Sequence, residues 1–132
     1  MTSKILIAVL LSANLASADD RPADNIDTAV AAEHEASTRE HYNAQLTTIA
    51  ERDIVTAEIV RDMAVKQWNA AVREQRPDDA DRWAKRHAAA VRDEQLARER
   101  AAYYARERDK ARDDFDASAE KVRKLSARAS RE

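Results

Sequence analysis

No glycine occurs among the 132 residues, and once the N-terminal stretch is passed the only strong break is Arg76-Pro77-Asp78-Asp79-Ala80-Asp81. A chain without glycine lacks the residue that takes left-handed turns at least cost. Pro77 removes a backbone donor and disfavours helical geometry at Arg76. On either side the sequence is rich in Ala, Arg, Glu, Asp and Lys, all compatible with long helices. Two arms around one corner are therefore expected: a first helix over about 26–75, a turn at 76–78 and a second helix over about 79–129.

The apolar content argues against a deep core. Hydrophobic residues make up 44% of the chain, but after residue 18 the large ones include only three leucines, Leu46, Leu96 and Leu125, and one phenylalanine, Phe115. Trp68, Trp83, Tyr42, Tyr103 and Tyr104 complete the aromatic set. Much of the remainder is alanine, and its placement is regular. Ala29, Ala36, Ala50, Ala57, Ala64 and Ala71 lie on one heptad frame, with Asn43 interrupting. Such a row lets two helix axes approach closely, because no bulky knob holds them apart; the sheer abundance of alanine is the competing explanation. Tyr42, Leu46, Ile49, Ile54, Val60, Val65, Trp68 and Val72 are expected on the same face.

In the second arm, alternating steps of four and three from Trp83 give His87, Ala90, Glu94, Ala97, Ala101, Tyr104, Arg108, Ala111, Phe115, Ser118, Val122, Leu125 and Ala129. A seam that long without a phase slip is hard to obtain by chance. Arms of equal length favour an all-α antiparallel, coiled-coil-like helical hairpin, since each can then bury its stripe along its length. Folding about Pro77 sets Arg61 near Glu94 as a structural pair, Trp68 near Trp83 at the corner, and Asp53 within reach of Tyr104. Asp78 or Asp79 is expected to cap the second helix, with Asp78–Arg82 and Asp81–Lys85 as i,i+4 pairs. Charge favours the same pairing. Residues 19–76 hold seven basic and twelve acidic side chains, and residues 77–132 hold fifteen and thirteen.

Residues 1–18 carry the three parts of a secretory signal peptide. Lys4 supplies the positive start, Ile5-Leu6-Ile7-Ala8-Val9-Leu10-Leu11 the apolar stretch, and Ala16-Ser17-Ala18 before Asp19-Asp20 the small-residue cleavage site. Export and cleavage after Ala18 are expected, followed by a leader over 19–25 that ends in a helix cap at Asp24 or Asn25. The alternative is an uncleaved anchor, although the apolar stretch is shorter than the roughly 20 residues needed to span a bilayer.

Composition also removes chemistry. Without cysteine there is no disulfide or thiolate site, and without glycine there is no phosphate loop, dinucleotide fingerprint or nucleophile elbow. None of His34, His41 and His87 has a His, Asp or Glu three or four residues away, so no metal site is expected. No catalytic residue and no cofactor is expected. A formal net charge of -2 and the absence of an interleaved aromatic series argue against nucleic acid.

A second apolar strip, Val55, Ile59 and Met63, lies off the alanine face, so the first helix needs two partners. These three, with Trp68 and Trp83, are the expected interaction residues. The expected function is that of an exported, non-enzymatic interaction, scaffold or chaperone-like protein with a protein partner or a second copy. A membrane- or envelope-held coiled coil, using residues 5–18 or the basic tail over 121–131, is the alternative. A periplasmic metal- or stress-binding protein is the third reading.

Overall fold

The computed structural model describes residues 25–131; the segment read as signal peptide and leader lies outside them except for Asn25. The described residues form two α-helices, α1 (Ile26–Arg73) and α2 (Pro77–Ala129), packed against each other with no strand. At about 1.5 Å per residue, their 48 and 53 residues span about 70–80 Å each. Ion pairs joining the arms fix their direction. Arg39–Asp114, Asp53–Arg100, Glu58–Arg98 and Arg61–Glu94 all have residue numbers that sum to between 153 and 156. Only an antiparallel hairpin keeps that sum constant.

Asn25 caps α1. Its side-chain oxygen accepts from the Thr28 backbone N–H and from the Thr28 hydroxyl, both at 2.8 Å. The other end corrects the expected boundaries. α1 stops at Arg73 rather than 75, and Pro77 is the first residue of α2 rather than part of the turn. The stop comes from local backbone geometry, not from the proline. Gln75 takes a left-handed φ of 55°, the Arg76 N–H reaches the Ala71 carbonyl at 2.8 Å, and the Gln75 N–H reaches Val72 at 3.2 Å. These two bonds make a Schellman motif, with glutamine in the position glycine usually fills. Pro77 then suits the first turn of α2, where its missing N–H has no helical acceptor.

The expected aspartate cap is also corrected. Arg76 is the capping residue of α2 and makes no side-chain cap bond. Asp78 and Asp79 sit inside the first turn, where negative charge favours the helix dipole. The Arg76 guanidinium donates to Asp79 and to Glu74, at 2.9 Å to the latter, pinning both sides of the corner. Arg82 turns to Asp79 at 3.6 Å instead of Asp78, and Lys85 meets Asp81 at 2.7 Å.

The core is a seam of alanine. Ala29, Ala36, Ala50, Ala57, Ala64 and Ala71 of α1 are buried against Ala90, Ala97 and Ala111 of α2, and among the described residues no large side chain is fully buried. Among the described residues Glu94 and Thr47 are the buried polar ones; the Thr47 hydroxyl donates to the Asn43 carbonyl at 2.8 Å. Along α2, every seam position from Trp83 to Leu125 is buried or half-buried. On α1 the expected face narrows. Tyr42, Ile49, Val65, Trp68 and Val72 are all exposed, because helices in contact through alanine methyls leave no room between them for longer side chains.

Candidate functional site

An alanine seam divides the hairpin surface into two flanks. On the first flank, Glu58, Arg61, Val65 and Trp68 of α1 face Ala84, His87, Glu94 and Arg98 of α2. On the second, Asp53, Thr56 and Val60 face Arg86, Asp93, Leu96 and Arg100.

The first flank is organised by one buried carboxylate. Glu94, 4% exposed, accepts from Arg61 at 2.6 Å and meets Arg98 at 2.5 Å. Arg98 also donates to Glu58 at 3.1 Å. A carboxylate this deep needs such donors, because an unpaired buried charge is costly. The hydrogen bond to Asp62, then the field of Glu94, raise the Arg61 pKa above its ordinary value. A cation whose pKa is raised on folding adds stability below its unfolded pKa and loses it only as pH climbs through the folded one. For a guanidinium that window lies far above any physiological pH. Arg61 therefore stays charged at any ordinary pH. Beyond this network the flank continues as an apolar hollow lined by Val65, Trp68, Ala84 and His87.

Trp68 and Trp83 do not meet. Trp83 lines a separate hollow with Gln67, Arg76, Asp79 and Arg86 on the second flank, and the Arg86 guanidinium lies 5.3 Å from its ring centroid. The seam runs between the two indoles, so proximity to the corner does not bring them together. Asp53, expected near Tyr104, lies 3.6 Å from Arg100, one turn earlier. Tyr103 and Tyr104 form an edge-to-face pair with centroids 5.4 Å apart.

Val55, Ile59 and Met63 are 54%, 63% and 44% exposed. Steps of four residues wind the strip round the helix by about 40° each. Met63 thus turns toward the second flank, and Val55 and Ile59 lie behind it. Sequence reasoning missed the wider pattern to which Met63 belongs. Ile49 and Met63 are two heptads apart on α1, and Leu96 and Tyr103 one heptad apart on α2; all four are exposed. The signal was in the spacing, a heptad period set off from the seam, whereas the strip Val55, Ile59 and Met63 runs in steps of four.

The histidines remain apart from one another in role. His41 is within 3.0 Å of the Gln45 side chain, the His34 carbonyl accepts from Thr38, and His87 lines the Trp68 hollow. Among the described residues no group of three or more His, Asp or Glu could hold a metal ion, and no helix is long and apolar enough to cross a membrane. In the basic tail, Arg123 and Lys124 both pair with Glu120. No protein-family model, curated protein or solved structure matches the chain.

Proposed function

We propose that this chain is an exported, non-enzymatic protein whose coiled-coil-like hairpin acts as an interaction, scaffold or chaperone-like module in the cell envelope. The observation that carries this reading is the inverted use of apolar residues. Alanines occupy the core while Val55, Ile59, Met63, Leu96, Tyr103 and Trp68 face outward. Single exposed apolar residues are ordinary, but strips of them aligned along one rod mark a surface made to be covered. The export half of the reading rests on the pattern of residues 1–18.

Two measurements test it separately. For export, the full chain is expressed in a bacterium, the envelope fraction is isolated, and the N-terminus is sequenced. A mature protein beginning at Asp19 supports export with cleavage, and an intact Met1 in the membrane fraction replaces it with the anchored reading. For the surface, suppression of aggregation of an unfolding test protein is compared between wild type and a Val55→Asp, Ile59→Asp double variant. Equal activity of the two, or none in either, removes the chaperone-like role of that strip.

A further inference from the structure

We propose that the second flank docks a second copy of this chain, antiparallel, about a two-fold axis passing beside Leu96. The inference rests on the reading that the exposed apolar residues exist to be covered, and it names what covers one side.

The first argument is the apolar spacing. Ile49, Thr56 and Met63 on α1, and Ala89, Leu96 and Tyr103 on α2, each repeat every seven residues and so keep to one line along their helix. Thr56, Ala89 and Leu96 line one groove, and Leu96 and Tyr103 the next along the same flank. Each row is symmetric about its middle member. The Arg61–Glu94 and Asp53–Arg100 pairs bracket both centres, placing Thr56 and Leu96 within about one helical turn of each other in height on the hairpin. Turning a second hairpin end over end about that height superposes the rows on themselves. Ile49 then meets Met63 of the second copy, Leu96 meets its equivalent, and Tyr103 meets the small Ala89. Large against small is how facing positions interdigitate.

The second argument is charge. Between the apolar row and the seam, α2 carries Arg86, Asp93, Arg100 and Glu107, again seven residues apart and alternating in sign. Arg86, Asp93 and Arg100 line the same groove as Leu96. Reversed about Leu96, the row complements itself: Arg86 faces Glu107 of the second copy, and Asp93 faces Arg100. A parallel arrangement of the same two flanks lays α2 against α1 of the second copy, whose row beside the seam, Asp53, Val60 and Gln67, does not alternate in charge, so the alternation selects the antiparallel arrangement. Within the hairpin, Arg86, Asp93 and Glu107 form no ion pair among the described residues, and Arg100 has only Asp53 at 3.6 Å. The first flank offers no such row, because Glu58, Arg61, Glu94 and Arg98 are committed to one another.

The chain contains no cysteine, so one introduced thiol reports cleanly. Under mild oxidation L96C is expected to form a disulfide-linked dimer at least tenfold faster than I59C, which lies behind the flank. Sedimentation should show wild type as a dimer, and R86E and E107R as monomers of unchanged helicity. An equimolar mixture of those two variants should recover the dimer, because position 86 of one and position 107 of the other then carry opposite charges again. A monomeric wild type, equal cross-linking of L96C and I59C, or a mixture that stays monomeric overturns the proposal. A monomeric wild type that still suppresses aggregation through Val55 and Ile59 leaves the broader reading standing, so the two fail separately.

Discussion

The two flanks share one alanine seam and differ in what they do with charge. On the first, Glu94 is sunk to 4% exposure and gathers Arg61 and Arg98 at 2.6 and 2.5 Å, with Glu58 closing the set. On the second, Asp93, the neighbouring residue in sequence, is exposed and makes no ion pair among the described residues. One residue turns the helix by about 100°, enough to move a carboxylate from seam to flank. The first flank satisfies its polar groups internally and stabilises the hairpin. The second joins the arms through Asp53 and Arg100 but leaves Arg86 and Asp93 without an ion pair among the described residues, beside the exposed Leu96.

Substitutions can break that contrast, and the largest effect is expected at the seam both flanks share. Ala64 is fully buried. Ala64→Leu forces the axes apart and should cost about 1–3 kcal/mol in thermal unfolding. At concentrations where the chain is monomeric, Ala89→Leu, half-buried on the second flank, should cost far less; equal losses would mean the alanine row is not the close contact. Next comes the carboxylate comparison. Glu94→Ala removes the acceptor that Arg61 and Arg98 share, leaving them only Asp62 and Glu58, and should destabilise by about 1–3 kcal/mol, whereas Asp93→Ala should stay within about 0.5 kcal/mol at concentrations where the chain is monomeric. Chemical denaturation of both variants decides it, and a reversed order would contradict the assignment of the flanks.

A smaller gain is expected at the corner. Gln75 holds a left-handed φ of 55° that glycine adopts without steric cost, so Gln75→Gly should raise stability, by about 0.5–1 kcal/mol. A loss there would show that the Schellman turn does not govern the corner. The smallest effect belongs to the back of α1. Val55→Ala and Ile59→Ala should leave the melting transition within about 0.5 kcal/mol of wild type, since both side chains stand in solvent.

The seam was legible in the sequence because two independent periods announced it: alanine on a heptad frame in α1 and a continuous three–four alternation in α2. The register was legible because the arms match in length, which put Arg61 opposite Glu94 from numbering alone. The corner was less so. Proline reads as the stop, but the stop is a hydrogen-bond pattern closed by Gln75, and no propensity rule anticipates glutamine with positive φ. The aspartates read as caps because Asp suits that position, yet Pro77 enters the helix first and moves them inward. The tryptophans failed for a geometric reason: closeness in height says nothing about which side of a seam a side chain takes. The second-flank rows were present as plain heptads but invisible until the seam defined what counted as a flank.

That the arms fold back on the alanine seam is tested most directly by a distance. Spin labels at Ala31→Cys and Arg123→Cys, both exposed, sit on opposite arms near the open end of the hairpin. Labelled chain is diluted into excess unlabelled protein so that only pairs within one molecule contribute. Adjacent helix axes lie about 8–10 Å apart, so dipolar spectroscopy should give a separation below about 30 Å with the label arms included. A straight helix through Pro77 would set the same labels about 140 Å apart at about 1.5 Å per residue, and the dipolar signal would vanish.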